Sequence, residues 1–195
     1  AISVIARPER PILPVRPTVC YVDASKSDAN DGLTWGTAWR TLTKALANVD
    51  ENGTINVATG TYNAATGETF PLTVQKANVS ILATNANPAL TVLDNGSTPG
   101  KNVFSATSKG TITLQGLTIK GGSYTSVGTA GAGLYFLNCT SVVLTNCAVR
   151  DNNINYNGNF TGGGLYCSGG SLGIFSCLFS NNVLSQAANS LSSYG

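Results

Sequence analysis

Histidine and methionine are absent from this 195-residue chain, and only 10% of its residues are charged. Without imidazole, neither a Ser-His-Asp nor a Cys-His arrangement can be built, and no metal can be held through a ring nitrogen. The five cysteines, Cys20, Cys139, Cys147, Cys167 and Cys177, include no C-x-x-C spacing, which argues against a zinc site. A net charge of +2 leaves no footprint for nucleic acid and no polybasic patch for a membrane surface. No apolar run approaches the roughly 18 residues needed to span a bilayer, so membrane insertion is not expected. No cofactor is implied.

Acids are scarcest in the second half, where Asp151 is the only one beyond Gly100, beside the bases Lys101, Lys109, Lys120 and Arg150. Glycoside hydrolysis needs two carboxylates roughly 5 to 9.5 Å apart. Asp94 and Glu68 stand isolated in turns, and although Lys120 and Arg150 stack in alignment, a solvated turn accounts for them. Catalysis is therefore not expected. Asp23, Asp28, Asn30 and Asp31 offer oxygen ligands, but their spacing is not that of an EF-hand loop and a polar turn explains them.

What the chain does have is repetition. Leu114-Gln-Gly-Leu117-Thr-Ile119, Leu144-Thr-Asn-Cys147-Ala-Val149 and Ile174-Phe-Ser-Cys177-Leu-Phe179 superimpose at a spacing of 30 residues, and Ile112, Val142 and Leu172 extend the alignment. Apolar residues two apart give the strand period, and each copy closes on Gly or Asn, which tolerate left-handed backbone. About three short strands per repeat, stacked on the next copy, predict a three-sided parallel β-helix. Strand-period pairs begin at Ile55 and Val57 and continue through Leu72 and Val74, Val79 and Ile81, and Leu90 and Val92. The expected stack is four to five turns, about 20 to 24 Å tall. Rows of Thr two apart on successive turns, which ice binding requires, are lacking: Thr111 and Thr113 are followed by Ser141 and Val143, then Ser171 and Gly173.

Residues 1–19 differ from the rest. Pro8, Pro11, Pro14 and Pro17 recur every third residue, the period of polyproline II, which makes a stiff spacer of roughly 30 Å. Ahead of it lies an apolar, strand-prone hexamer containing Ile2, Val4 and Ile5. Residues 20–195 form the solenoid domain, opened by an amphipathic helix at about 37–49 that places Trp39, Leu42, Leu46 and Val49 on one face and caps the first turn. Beyond Phe179, Val183, Leu184 and Leu191 are the main apolar residues, and no cap is evident there.

Cys147 and Cys177 occupy equivalent positions on adjacent turns, where an α-carbon separation of about 4.8 Å falls within the disulfide range. A reduced ladder in the core is the equal alternative. Cys139 and Cys167 are candidates for a second pair, which leaves Cys20 available to a partner chain.

Tyr21-Val-Asp23, Asn30-Asp31-Gly32, Trp35 to Trp39, Thr43-Lys-Ala-Leu46 and Gly53-Thr-Ile-Asn-Val57 through Gly60-Thr-Tyr62 resemble the N-terminal module of secreted bacterial right-handed β-helix proteins of the pectate-lyase-like superfamily. Gly162-Gly-Gly-Leu165 and Phe179-Ser-Asn-Asn182 are similar to the repeats of polymorphic outer-membrane adhesins, with a degenerate copy at Gly131-Ala-Gly-Leu134 and Val149-Arg-Asp-Asn152. The resemblance implies a right-handed solenoid at a cell surface or outside the cell, with surface glycans as one class of partner. A start at Ala1 rather than Met agrees with removal of a signal peptide and with secretion.

The function expected is a non-catalytic extracellular subunit that polymerises head to tail. Ile2, Val4 and Ile5 would be laid as a strand against the open end of the next copy at Val183, Leu184 and Leu191. The alternative is the N-terminal part of a longer adhesin or polysaccharide-active β-helix protein.

Overall fold

Ile112, Val142 and Leu172 lie in register on three neighbouring parallel strands, as do Leu114, Leu144 and Ile174. The thirty-residue alignment is thus a physical stacking of side chain on side chain. The computed structural model describes residues 16–124, 131–155 and 161–185.

The chain opens with β1 (Val19–Val22) and helix α1 (Leu42–Asn48), then winds through successive turns. The first carries β2 (Thr54–Val57), β3 (Gly60–Tyr62) and β4 (Leu72–Thr73), and the second β5 (Ser80–Ala83), β6 (Thr91–Asp94) and β7 (Phe104–Thr107). The third holds β8 (Thr111–Gln115), β9 (Thr118–Lys120), β10 (Ser123–Tyr124) and β11 (Leu134–Leu137). The fourth holds β12 (Ser141–Thr145), β13 (Ala148–Arg150), β14 (Asn153–Asn155) and β15 (Leu165–Ser168), after which β16 (Ser171–Phe175), β17 (Leu178–Ser180) and β18 (Val183–Ser185) begin another. These strands make parallel sheets of six (β1-β2-β5-β8-β12-β16), five (β3-β6-β9-β13-β17), four (β4-β7-β11-β15) and three (β10-β14-β18). The architecture is a parallel β-solenoid of about four turns, and its later turns carry four strands where the sequence suggests three.

The core is a set of columns running along the stack. One passes through Cys20, Ile55, Ile81, Leu114 and Leu144, and another through Tyr62, Leu93, Ile119 and Val149; all of these side chains are buried. Corners fall where the repeats place a left-handed residue. Gly116, Asn146 and Ser176 have φ of 72°, 51° and 52°, and Gly121, Asp151 and Asn181 have 76°, 56° and 51°. Asparagine and aspartate accept this conformation at modest cost, so the corner survives the loss of glycine in later copies.

Two further expectations need correction. In β6 the inward residues are Thr91 and Leu93, whereas Leu90 is 46% exposed and Val92 half-buried. A short 3-10 turn at Pro88–Leu90, begun by the Asn87 side chain accepting from the Ala89 N–H, uses up one residue of the alternation and turns the strand over. The helix spans Leu42–Asn48, shorter than the predicted 37–49, because Thr41 ends the extended segment and accepts from the Lys44 N–H at 3.0 Å as N-cap. All four residues expected on its apolar face are nevertheless buried.

Candidate functional site

The two ends of the solenoid differ. At the N-terminal end the outer edge of β1 is already paired: Tyr21 N–H donates to Gly32 O and Trp39 N–H to Tyr21 O, both at 2.9 Å. Trp39, Leu42, Leu46 and Val49 belong to the same buried cluster as Cys20 and Ile55 and are at most 4% exposed. A helix of seven residues is marginal alone, and two carboxylates from distant loops hold its start. Asp28 accepts from the Arg40 and Thr41 N–H groups and the Thr41 hydroxyl at 2.8 to 3.0 Å. Glu68, 5% exposed, accepts from the Leu42 N–H at 2.6 Å and from the Thr43 N–H and hydroxyl at 2.9 and 2.6 Å. Burial pushes the Glu68 carboxyl above its ordinary value, against the lowering effect of these hydrogen bonds.

At the other end, β15, β16, β17 and β18 each have a single strand partner among the described residues. Leu172, Ile174, Leu178, Phe179, Val183 and Leu184 are 40 to 59% exposed, although the residues stacked beneath Leu172, Ile174, Phe179 and Leu184 are buried. Among the described residues, this end presents a cross-section of the core, together with a row of strand edges able to bond another strand.

Of the residues assigned to assembly, Val183 and Leu184 lie on β18 at this open end. Pro17 sits at the opposite end, where its carbonyl accepts from the Asp50 N–H at 2.9 Å. Ile2, Val4, Ile5, Pro8, Pro11, Pro14 and Leu191 lie outside the described residues.

All five cysteines are free thiols. Cys147 and Cys177 are neighbours, the Cys147 N–H donating to Cys177 Sγ at 3.4 Å. Cys147 and Cys139 turn their sulfurs to carbonyls of the preceding turn, Leu114 O at 3.5 Å and Ala106 O at 3.6 Å, so the ladder is the arrangement present. Cys167 is in register with Phe136 and not with Cys139, because this sheet advances by 31 residues between those turns. Cys20, expected to be available to a partner, has no exposed surface, and burial pushes its thiol up to about 12. Burial likewise raises Cys147 to about 11.

Lys120 and Arg150 do stack in register, and each meets a carboxylate. Lys120 Nζ lies 3.2 Å from Asp94, which is therefore not isolated, and Arg150 pairs with Asp151. Asp23, Asp31 and Asn30 serve the polar loop: Asp23 accepts from Ser25, Asp31 from the Leu33 N–H, and Asn30 donates to Ala38 O. Among the described residues, no helix is long and apolar enough to cross a membrane.

Neither a curated protein nor a solved structure matches the chain. Residues 24–187, from the polar loop after β1 to just past β18, match a family described as proteins of unknown function, DUF1565. This chain, most of whose length falls within that match, belongs to the DUF1565 family.

Proposed function

We propose that this chain is a non-catalytic structural subunit, secreted to the cell exterior, that joins head to tail into a filament or ring. It is a right-handed β-helix of the pectate-lyase-like kind, three-sided in its first turns, with adhesin-like repeats, capped at its N-terminal end by α1. Parallel strands joined by right-handed crossovers are the rule for this connectivity. The apolar strand at Ile2, Val4 and Ile5 of one copy lies against the exposed edge at Val183 and Leu184 of the next, and Pro8 to Pro17 spans the gap. Donor and acceptor sit at opposite ends, so the contact is heterologous and propagates.

The observation that carries this reading is the asymmetry of the ends. A closed end cannot stack on an open one, yet a strand supplied by a tail can pair with the open edges and cover the exposed leucines and phenylalanines. A non-catalytic role is supported by the pairing of Lys120 and Arg150, each already neutralised by its own carboxylate.

Negative-stain electron microscopy of the intact chain beside the full-length variant Ile2→Asp, Val4→Asp, Ile5→Asp tests the proposal, once circular dichroism shows equal strand content. Filaments or rings are expected from the intact chain alone. Identical single particles from both would overturn it in favour of the adhesin or polysaccharide-active reading, in which further turns continue the solenoid.

A further inference from the structure

Helix α1 packs on strand β4 through the buried side chains of Leu42, Leu46 and Leu72, but the contact is incomplete. Between them runs an open groove of about 260 Å³ whose walls include Leu46, Ala47, Pro71 and Leu72, with Thr69 and Gln75 at the rim. No charged residue lines it. Its volume falls below the roughly 300 to 1,000 Å³ of small-molecule sites and suits a few aliphatic side chains.

The chain itself passes the end of this groove. Pro17 O accepts from the Asp50 N–H just beyond α1, and the Arg16 guanidinium donates to the carbonyl of Ala47, a residue of the groove wall. The residues immediately before Arg16 are Pro11-Ile12-Leu13-Pro14-Val15, five apolar residues without a charge, flanked by Arg10 and Arg16. A proline-spaced segment favours polyproline II, which loses little entropy on docking and leaves its backbone carbonyls free for polar rim groups such as the Gln75 amide and the Thr69 hydroxyl.

We infer that the groove between α1 and β4 is the seat of the chain's own Pro11–Val15 segment, with Ile12, Leu13 and Val15 supplying the side chains that fill it. Seating these residues fixes the root of the tail beside α1, so that within a filament only the ten residues before them would be free to reach the next copy and the spacer would be shortened to Pro8–Arg10. The inference goes beyond head-to-tail assembly and does not depend on it, since the contact lies within one chain.

The test is photo-cross-linking of the full chain with a benzophenone amino acid in place of Leu13, at a dilution where no filaments form, read by peptide mass spectrometry. Mixing isotopically light and heavy chains separates contacts within a chain from contacts between chains. Cross-links within one chain to residues 43–47 or 69–75 are expected, and Thr69→Trp, which fills the groove from an exposed position, should abolish them. Cross-links concentrated elsewhere, no cross-links, light-to-heavy products, or a pattern indifferent to Thr69→Trp would each overturn the inference. Loss of filaments in the Ile2, Val4, Ile5 variant bears only on assembly.

Discussion

Asn152 donates its side-chain amide to Asn182 Oδ1 at 2.9 Å, one turn further along the solenoid. The same side chain accepts from the Gly122 N–H at 2.9 Å and donates to Ile119 O at 3.2 Å, while Asn182 Nδ2 reaches Val149 O at 2.8 Å. The pair satisfies corner backbone groups that no strand ladder reaches, and Asn152 has no exposed surface. Asn152→Ala should strand several buried partners at about 1 to 3 kcal/mol each. A total loss of about 3 kcal/mol or more is expected, read as a lower urea midpoint at an unchanged slope. Asn152→Asp should be no better, because its second oxygen would face Ile119 O; a variant within about 0.5 kcal/mol of the parent would refute the corner role.

Thr91 presents the opposite case. Its side chain points inward on β6, has no exposed surface, and its hydroxyl finds no hydrogen-bond partner among the described residues. Burying a hydroxyl unpaired costs about 1 to 3 kcal/mol, and valine has nearly the same shape without that cost. Thr91→Val should therefore stabilise the chain by about 1 kcal/mol, a rise in Tm of about 2 to 4 °C at this size. A fall in Tm would mean that the hydroxyl is satisfied after all.

The repeats between Leu114 and Phe179 were legible because equal spacing turns sequence alignment directly into strand register. Earlier turns were less so, since their strands are offset by unequal lengths: Asp94 to Lys120 is one rung in one sheet, and Ile81 to Leu114 one rung in another. That inequality hid the Asp94 ion pair. Glu68 was missed for a related reason. Capping signals read from sequence are local, and this carboxylate reaches Leu42 and Thr43 from a loop far along the chain. Alternation at Leu90 and Val92 misled because Pro88 starts a 3-10 turn immediately before the strand.

Thiol labelling should separate the cysteines by burial. Reaction requires thiolate, and with the Cys20 thiol at about 12 only about one molecule in ten thousand is ionised there at pH 8. Cys147, raised to about 11, is little better, and Cys139 is 1% exposed. Iodoacetamide at pH 8 should modify only Cys167 and Cys177, which are half-buried on the last two turns, until denaturant exposes the other three. Peptide mass spectrometry over time checks the order. Early modification of Cys20 would contradict its burial beneath Trp39, Leu42 and Leu46 in the core cluster.

Glu68 gives the solenoid a pH dependence of definite sign. Burial raises its folded-state carboxyl above the ordinary 4.5, outweighing the hydrogen bonds from Thr43 and Leu42, and the nearby Asp28 charge adds to the rise. The folded chain then holds this proton more tightly than the unfolded chain. Its contribution to stability is greatest below pH 4.5, declines as pH climbs from there through the raised folded value, and is constant above it. Glu68→Gln removes this titration while every other carboxylate remains, so the difference between the two stability curves isolates it. Urea midpoints measured at half-unit steps from pH 4 upward should show the variant gaining on the parent across that window and then running parallel. The substituted amide keeps one oxygen for the Leu42 N–H but turns its NH2 toward Thr43, so an offset at low pH is expected; the slope between the curves is the prediction. Parallel curves throughout would show that the three hydrogen bonds at the start of α1 balance burial, and a gap that widens in favour of the parent would show that they outweigh it; either result refutes the prediction.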